Sequence, residues 1–251
     1  MATLTFLGSS AAVPAIGHDN TYLVVQGEES VVLVDCGGSP LLKLQLAGIE
    51  PTALSHVVFT HGHPDHMYGF PILMLDLWLL GCRRPLQVLG EARGLHTAQE
   101  LLRLFRSADW PGFCPPHYRE VPPVPESVVL DLPDLLVTAC PTAHLVPSMA
   151  LKFVDKATGQ NMVYSSDTGP SEALVRFARG VDVLIHEASG QMDGHSSAAQ
   201  AGQIAQRAGV QKLFLIHYPA LNADLNALLA QARQEFAGPL ELARDYGAIE
   251  F

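Results

Sequence analysis

The segment T-H-G-H-P-D-H, Thr60 to His66, puts His61, His63, Asp65 and His66 within six residues. Val57-Val58-Phe59 before it reads as a buried strand, and Met67 to Leu80 after it is apolar and of helical length. The cluster therefore falls on a strand-to-helix loop, where a rigid scaffold commonly presents functional groups. Imidazole and carboxylate are natural ligands for zinc and similar divalent ions. A closed structural zinc site would favour cysteine. This cluster has none, and it holds more ligands than one closed site takes from a single turn, which points to catalytic metal with room for two ions. An ordinary polar turn does not account for it, because four such donors crowd one another without a cation.

Working outward, the chain has 251 residues, 48% of them hydrophobic and only 16% charged. That supports one domain, residues 1–251, with a large core, and argues against disorder. The net charge of -10 disfavours a protein that holds nucleic acid on a broad basic surface. Cys36, Cys82, Cys114 and Cys140 are widely spaced and form no C-x-x-C pair, which suits free thiols in a reducing compartment. The first residues lack a basic, then apolar, leader pattern, so a cytoplasmic location is expected. The apolar run Pro71 to Leu80 is short and broken by Asp76, so it reads as a core or interface helix and not as a membrane span.

Along the chain, strands are expected at Thr3 to Leu7, Tyr22 to Val25, Val31 to Val34 and Ser55 to Phe59, with a helix opened by Ser39-Pro40 and closed by Gly48. A strand at Pro85 to Leu89 and a helix from Ala92 to Ser107 follow. Asp109 to Pro125, rich in proline and aromatics, reads as a loop, either an ordinary packed one or a cover over the site. Four strands come next, around Val128, Leu136, Leu151 and Val163. Helices at Ser171 to Arg179, Ser196 to Ala208 and Asn222 to Phe236 then alternate with strands at Val181 to Ile185 and Lys212 to Ile216, and Leu240 to Phe251 ends in strand character. Strands in a run, then strands alternating with helices, twice over, predict an α/β fold of four layers: two sheets face to face with helices outside.

Three more candidate ligands lie where an apolar strand gives way to a loop: His144, Asp167 and His217. Taken singly each has an ordinary account, as a sheet-edge histidine or an aspartate in a turn. The cluster at Thr60 to His66 changes this, because its metal needs further ligands from elsewhere in the chain.

The order H-x-H-x-D-H, then His144, Asp167 and His217, resembles the metallo-β-lactamase superfamily, as do the opening strand and loop and the V-D-C-G turn at Val34 to Gly37. The resemblance spans almost the whole chain. It implies an αββα sandwich, one metal on His61, His63 and His144, a second on Asp65, His66 and His217, and Asp167 bridging them. Zinc is the usual metal there, with manganese or iron in relatives. Within the superfamily the chain is most similar to the ribonuclease Z branch. The motifs that carry this are F-L-G-S-S-A-A-V-P at Phe6 to Pro14, H-E-A-S at His186 to Ser189, and G-H-S-S-A at Gly194 to Ala198. The resemblance implies that His195 protonates the leaving oxygen and that Glu187 orients it, so the catalytic set is Asp65, His195 and Glu187. His186, which ends a buried strand, is expected to support the site from behind. The chain departs from the branch in three ways: serine replaces threonine at Ser189 and Ser197, and no glycine- and lysine-rich arm appears between Asp131 and Pro147.

The chemistry points the same way. Two dications lower the pKa of a shared water and neutralise phosphate charge, and a phosphodiester then needs a proton donor for its leaving alkoxide. The expected function is a dinuclear phosphodiesterase acting on a small or short diester, such as a cyclic nucleotide. Two alternatives stay open: tRNA 3′-end cleavage, and hydrolysis of lactones or of carboxylic or sulfate esters on the same metals. The resemblance and the apolar stretch Leu73 to Leu80 leave room for a homodimer.

Overall fold

The computed structural model describes residues 1–251. The strands are β1 (Thr3–Gly8), β2 (Tyr22–Gln26), β3 (Val31–Val34), β4 (His56–Phe59), β5 (Gln87–Gly90), β6 (His117–Glu120), β7 (Ser127–Asp131), β8 (Leu135–Pro141), β9 (Met149–Asp155), β10 (Asn161–Tyr164), β11 (Val183–Glu187), β12 (Lys212–Ile216), β13 (Leu240–Leu242) and β14 (Ala248–Glu250). The helices are α1 (Pro40–Leu46), α2 (Pro64–Met67), α3 (Phe70–Leu79), α4 (Ala92–Leu104), α5 (Glu172–Phe177), α6 (Ala198–Ala208) and α7 (Leu225–Glu235).

Two seven-stranded sheets form, in the orders β14-β1-β2-β3-β4-β5-β6 and β13-β12-β11-β10-β9-β8-β7. Alternation along each strand explains the layers. Leu4, Phe6, Leu151, Phe153, Tyr164 and Ile185 lie in the core between the sheets. Their neighbours on the opposite faces pack under helices, Leu33 and Val57 with Leu44 and Leu73, and Val163 and Leu184 with Ile204 and Ala205. Strands buried on both faces, such as β11 and β12, read as continuous apolar runs for this reason. The result is the expected αββα sandwich. No helix is long and apolar enough to cross a membrane.

Four details differ from the sequence expectation. The helix expected over Met67 to Leu80 is two helices broken at Gly69. The Gly69 N–H donates to Cys36 O at 2.8 Å, and a Cβ there would lie 2.8 Å from both Cys36 O and Gly38 O, so only glycine lets α3 start against that turn. Within Asp109 to Pro125, residues His117–Glu120 form a parallel edge strand on β5, and Trp110 packs tilted against Trp78 of α3 with ring centroids 5.3 Å apart. The final helix is capped by Asp224, whose carboxylate accepts from Asn226 N and Ala227 N, and not by Asn222. Finally, Leu240 to Phe251 is split between the sheets: β13 pairs with β12, and β14 crosses over to pair with β1.

Candidate metal centre

Every candidate ligand sits just beyond the C-terminal end of a strand, and these ends share one edge of the sandwich. His61 to His66 follow β4, His144 follows β8, Asp167 follows β10, and His217 follows β12. Backbone bonds join the two sheets here, with Met149 N donating to Thr60 O at 3.2 Å. Asp35, Ser166 and His217 have φ of 61°, 52° and 51°, so three strand ends turn through the left-handed region at this edge. Such positions cost about 1–3 kcal/mol each and persist where the surroundings enforce them, often at functional sites.

The side chains converge in two groups. His63 Nδ1 lies 3.1 Å from His61 Nε2 and 3.1 Å from His144 Nε2. Asp65 Oδ2 lies 3.5 Å from His66 Nε2 and 3.5 Å from His217 Nε2. Asp167 stands between the groups: Oδ2 is 3.7 Å from His61 Nε2 and 3.6 Å from His66 Nε2, and Oδ1 is 3.6 Å from His217 Nε2. All seven expected ligands are therefore brought together.

The surroundings fix which nitrogen each ring presents. Thr60 Oγ1 donates to the Asp35 carboxylate, so at 3.1 Å it accepts from His61 Nδ1–H. His66 Nδ1–H donates to Asp35 Oδ2 at 2.8 Å. His144 Nδ1–H donates to Gly194 O at 2.8 Å. Ser189 Oγ donates to His217 O, so at 2.8 Å it accepts from His217 Nδ1–H. Each of these four rings thus spends its proton outward and turns the Nε2 lone pair inward, the arrangement typical of metal-ligating histidine.

His66 Nε2, His217 Nε2 and Asp167 Oδ1 are buried without a hydrogen-bond partner. Converging lone pairs and carboxylate oxygens that lack donors are what a cation satisfies, so the residues present fit divalent ions with nitrogen and oxygen ligands.

Burial and the neighbouring charges shift the members of the cluster strongly and in opposite directions. Burial, reinforced by His66, holds the His61 pKa well below its usual value. Burial also opposes charge on His66, but Asp167 and Asp35 outweigh it and raise that ring's pKa. Burial disfavours ionised Asp167, yet His217 and His66 hold its pKa well below the carboxylate range. Asp65 shifts down likewise, burial being outweighed by His217 and His66.

His195 stands beside the cluster, its ring centroid 5.0 Å from that of His144 and 6.1 Å from that of His217. Its Nδ1–H donates to Glu187 Oε1 at 2.9 Å. Glu187 is fully buried and is itself held by Thr168 N at 3.0 Å and Ser189 N at 2.9 Å. The Glu187 hydrogen bond raises the His195 pKa against the opposing effect of burial. His186 does not support the centre as expected. Alternation along β11 turns it to the helix side, its Nδ1 bonds to Glu187 O at 2.7 Å, and its Nε2 has no partner.

Sequence reasoning missed Asp35 and Thr60 as supports of the ligands. A signal existed, since Asp35 is a charged residue directly after the buried strand Val31–Val34. Ser189 and Ser197 keep hydroxyl roles where the resemblance has threonine. Ser189 orients His217, and Ser197 caps α6 in a reciprocal pair with Gln200.

Residues 31–218 match the family described as the Beta-lactamase superfamily domain. The chain is 27% identical to a ribonuclease Z of Methanothermobacter thermautotrophicus, over 94% of this chain and 92% of that protein. Among solved structures it is similar to the metallo-beta-lactamase fold protein YhfI of Bacillus subtilis, with a TM-score of 0.80, 23% identity, and coverage of 100% of this chain and 99% of that one. The short form of human tRNase Z has a TM-score of 0.79 at 23% identity, covering 99% of this chain and 98% of that one.

Proposed function

The chain belongs to the beta-lactamase superfamily, in its ribonuclease Z-like branch, and from that membership we propose that this metal-dependent hydrolase is a dinuclear phosphodiesterase. His61, His63 and His144 would hold one divalent ion, Asp65, His66 and His217 a second, and Asp167 both. Zinc suits this ligand set, and manganese or iron also suit it. When bound, such a pair neutralises phosphate charge and supplies a nucleophile from water near neutral pH.

The observation that carries the reading is the pair Glu187 and His195 beside the ligand cluster. Glu187, pinned by two backbone N–H groups, accepts the hydrogen bond of His195 Nδ1–H, and Nε2 then carries the second proton when the ring is charged. A charged imidazole so placed hands its Nε2 proton to the departing alkoxide. Phosphodiesters with poor leaving groups need that donor, whereas lactone hydrolysis leans on it less.

The test is His195→Ala, assayed across diesters that differ only in leaving-group pKa. Metal content should persist, while turnover should fall about 10²–10⁴-fold for poor leaving groups and little for good ones. Equal slowing across the series would remove His195 as the acid. A second reading, tRNA 3′-end cleavage, is favoured by the match to a relative named ribonuclease Z over 94% of this chain. A single cut of precursor tRNA at the 3′ trailer would establish it.

A further inference from the structure

We infer that the alcohol expelled from the scissile ester is uncharged, carries one flat ring system, and is received in an apolar pocket beside His195. The inference rests on the phosphodiesterase reading above. A proton donor serves the leaving oxygen, so whatever that oxygen carries must lie on the His195 side of the centre. There the structure has a pocket of about 270 Å³, walled by Ala11, Ala12, Val13, Met192, Pro219 and Leu221 together with His195 and His217. No lysine, arginine or carboxylate lines it.

Three features define the occupant. The first is charge. A second phosphate set against these walls would find no lysine or arginine to pair with, since the His195 proton is committed to the leaving oxygen, so an oligonucleotide is a poorer guest than a neutral ring. The second is size. The pocket lies just below the range of about 300–1,000 Å³ usual for small-molecule sites, enough for one ring system. The third is polarity. The Ser189 hydroxyl is already committed to the Nδ1 and carbonyl oxygen of His217, which leaves Asn222 as the one polar lining side chain besides the two histidines. Apolar faces with one polar edge describe an aryl alcohol or a single nucleoside.

The Ala11 to Val13 wall of the pocket is held in place by its own hydrogen bonds. Ala11 N donates to Tyr218 O at 2.9 Å, Asn20 Nδ2 donates to Ala11 O and Ala12 O at 3.0 Å each, and Ser10 Oγ donates to Val13 O at 2.9 Å. The wall at Ala11 to Val13 thus needs no ordering on binding, which favours affinity. Val13, Met192 and Leu221 meanwhile expose 60%, 58% and 57% of their surface, apolar area that a ring would cover.

In the step, the water oxygen bonds to phosphorus as the bond from phosphorus to the alcohol oxygen breaks. The electron pair stays on that oxygen, which takes the His195 proton. The proton lost by the water restores His195 through solvent.

The experiment compares two aryl diesters of matched leaving-group pKa on metal-loaded protein, one neutral in its leaving group and one bearing a sulfonate there. A third diester that releases a single nucleoside tells the two ring sources apart. The released alcohols are also titrated without turnover and followed by broadening of their ring proton resonances. We expect kcat/KM to favour the neutral aryl diester by about tenfold or more. Leu221→Asp and Met192→Asp change exposed side chains and should fold, and each should weaken alcohol binding and neutral-diester turnover by about tenfold. Leu221→Lys should shift preference toward the sulfonate. Equal rates on the matched pair, or alcohol binding indifferent to both aspartate variants, would overturn the inference. If no diester is cut while the alcohol still binds in a Leu221-dependent way, the pocket stands and the phosphodiesterase reading falls.

Discussion

Asp35→Asn probes the support behind both metal groups at once. The Asp35 carboxylate is fully buried and receives Thr60 N at 2.8 Å, Thr60 Oγ1 at 2.8 Å and His66 Nδ1–H at 2.8 Å. Asparagine is nearly isosteric and tolerates the left-handed φ of 61°, so the backbone should hold. Its amide has one acceptor. If that oxygen stays on Thr60 N, the NH₂ faces the His66 Nδ1–H, and His66 must move its proton to Nε2 or turn away. Either change removes a lone pair from the metal group. Losing a partner of this kind typically costs 10–100-fold in metal affinity, about 1.4–2.8 kcal/mol. With metal at 100 times the wild-type Kd, a bound ion adds about 2.7 kcal/mol of stability, and a 100-fold weaker site keeps only about 0.4 kcal/mol. At roughly 2–4 °C per kcal/mol for a chain of this size, the metal-induced rise in Tm should shrink by about 3–9 °C across the 10–100-fold range. The assay is thermal melting with and without zinc, paired with competition against a chromophoric chelator. The His66 group should weaken more than the His61 group, which Asp35 reaches only through Thr60. Unchanged affinity at both groups would refute the argument that Asp35 sets the His66 tautomer.

Other outcomes follow from the same geometry. His63→Ala should remove one metal and nearly all turnover; full activity with undiminished metal content would sink the ligand assignment. Glu187→Gln should move the alkaline limb of the pH–rate profile for poor leaving groups to lower pH. The reason is that Glu187 raises the His195 pKa, the acid form is lost as pH rises through that pKa, and the weaker partner lets it go sooner; an unmoved limb would count against the pair. Asp134 accepts from Ser30 Oγ, Glu29 N and Ser30 N, and the Ser30 hydrogen bond leads these in outweighing burial to lower its pKa. Its contribution is present above the ordinary carboxylate pKa and is lost as pH falls through the lower folded one. Asp134→Asn should therefore lower Tm at pH 7 but much less near pH 3, checked by melting at both.

What could be read from the chain is what local chemistry demands. His61, His63, Asp65 and His66 are dense enough in sequence to require a cation, and His144, Asp167 and His217 each follow an apolar strand. What could not be read depends on strands distant in sequence lying side by side. Asp35 matters because β3 runs parallel to β4, with Val34 opposite Val58, which sets its carboxylate under Thr60. The break at Gly69 exists because the Cys36 to Gly38 turn presses there, and no local propensity records that contact. The β6 strand is hidden among prolines, and β13 and β14 part company because each finds an open sheet edge in a different sheet. Nor does the sequence say which face of β11 meets the site: His186 and Glu187 occupy opposite faces, and the bonding of Glu187 to His195 fixes the choice. The most opaque support is that of His144. Its proton goes to the carbonyl of Gly194, at a φ of 77° where a Cβ would come within 3.1 Å of His144 Nδ1. Every residue carries a carbonyl, so the acceptor leaves no trace in sequence. What shows is the glycine that lets the carbonyl reach the ring, which makes Gly194 a ligand-orienting position through its backbone alone.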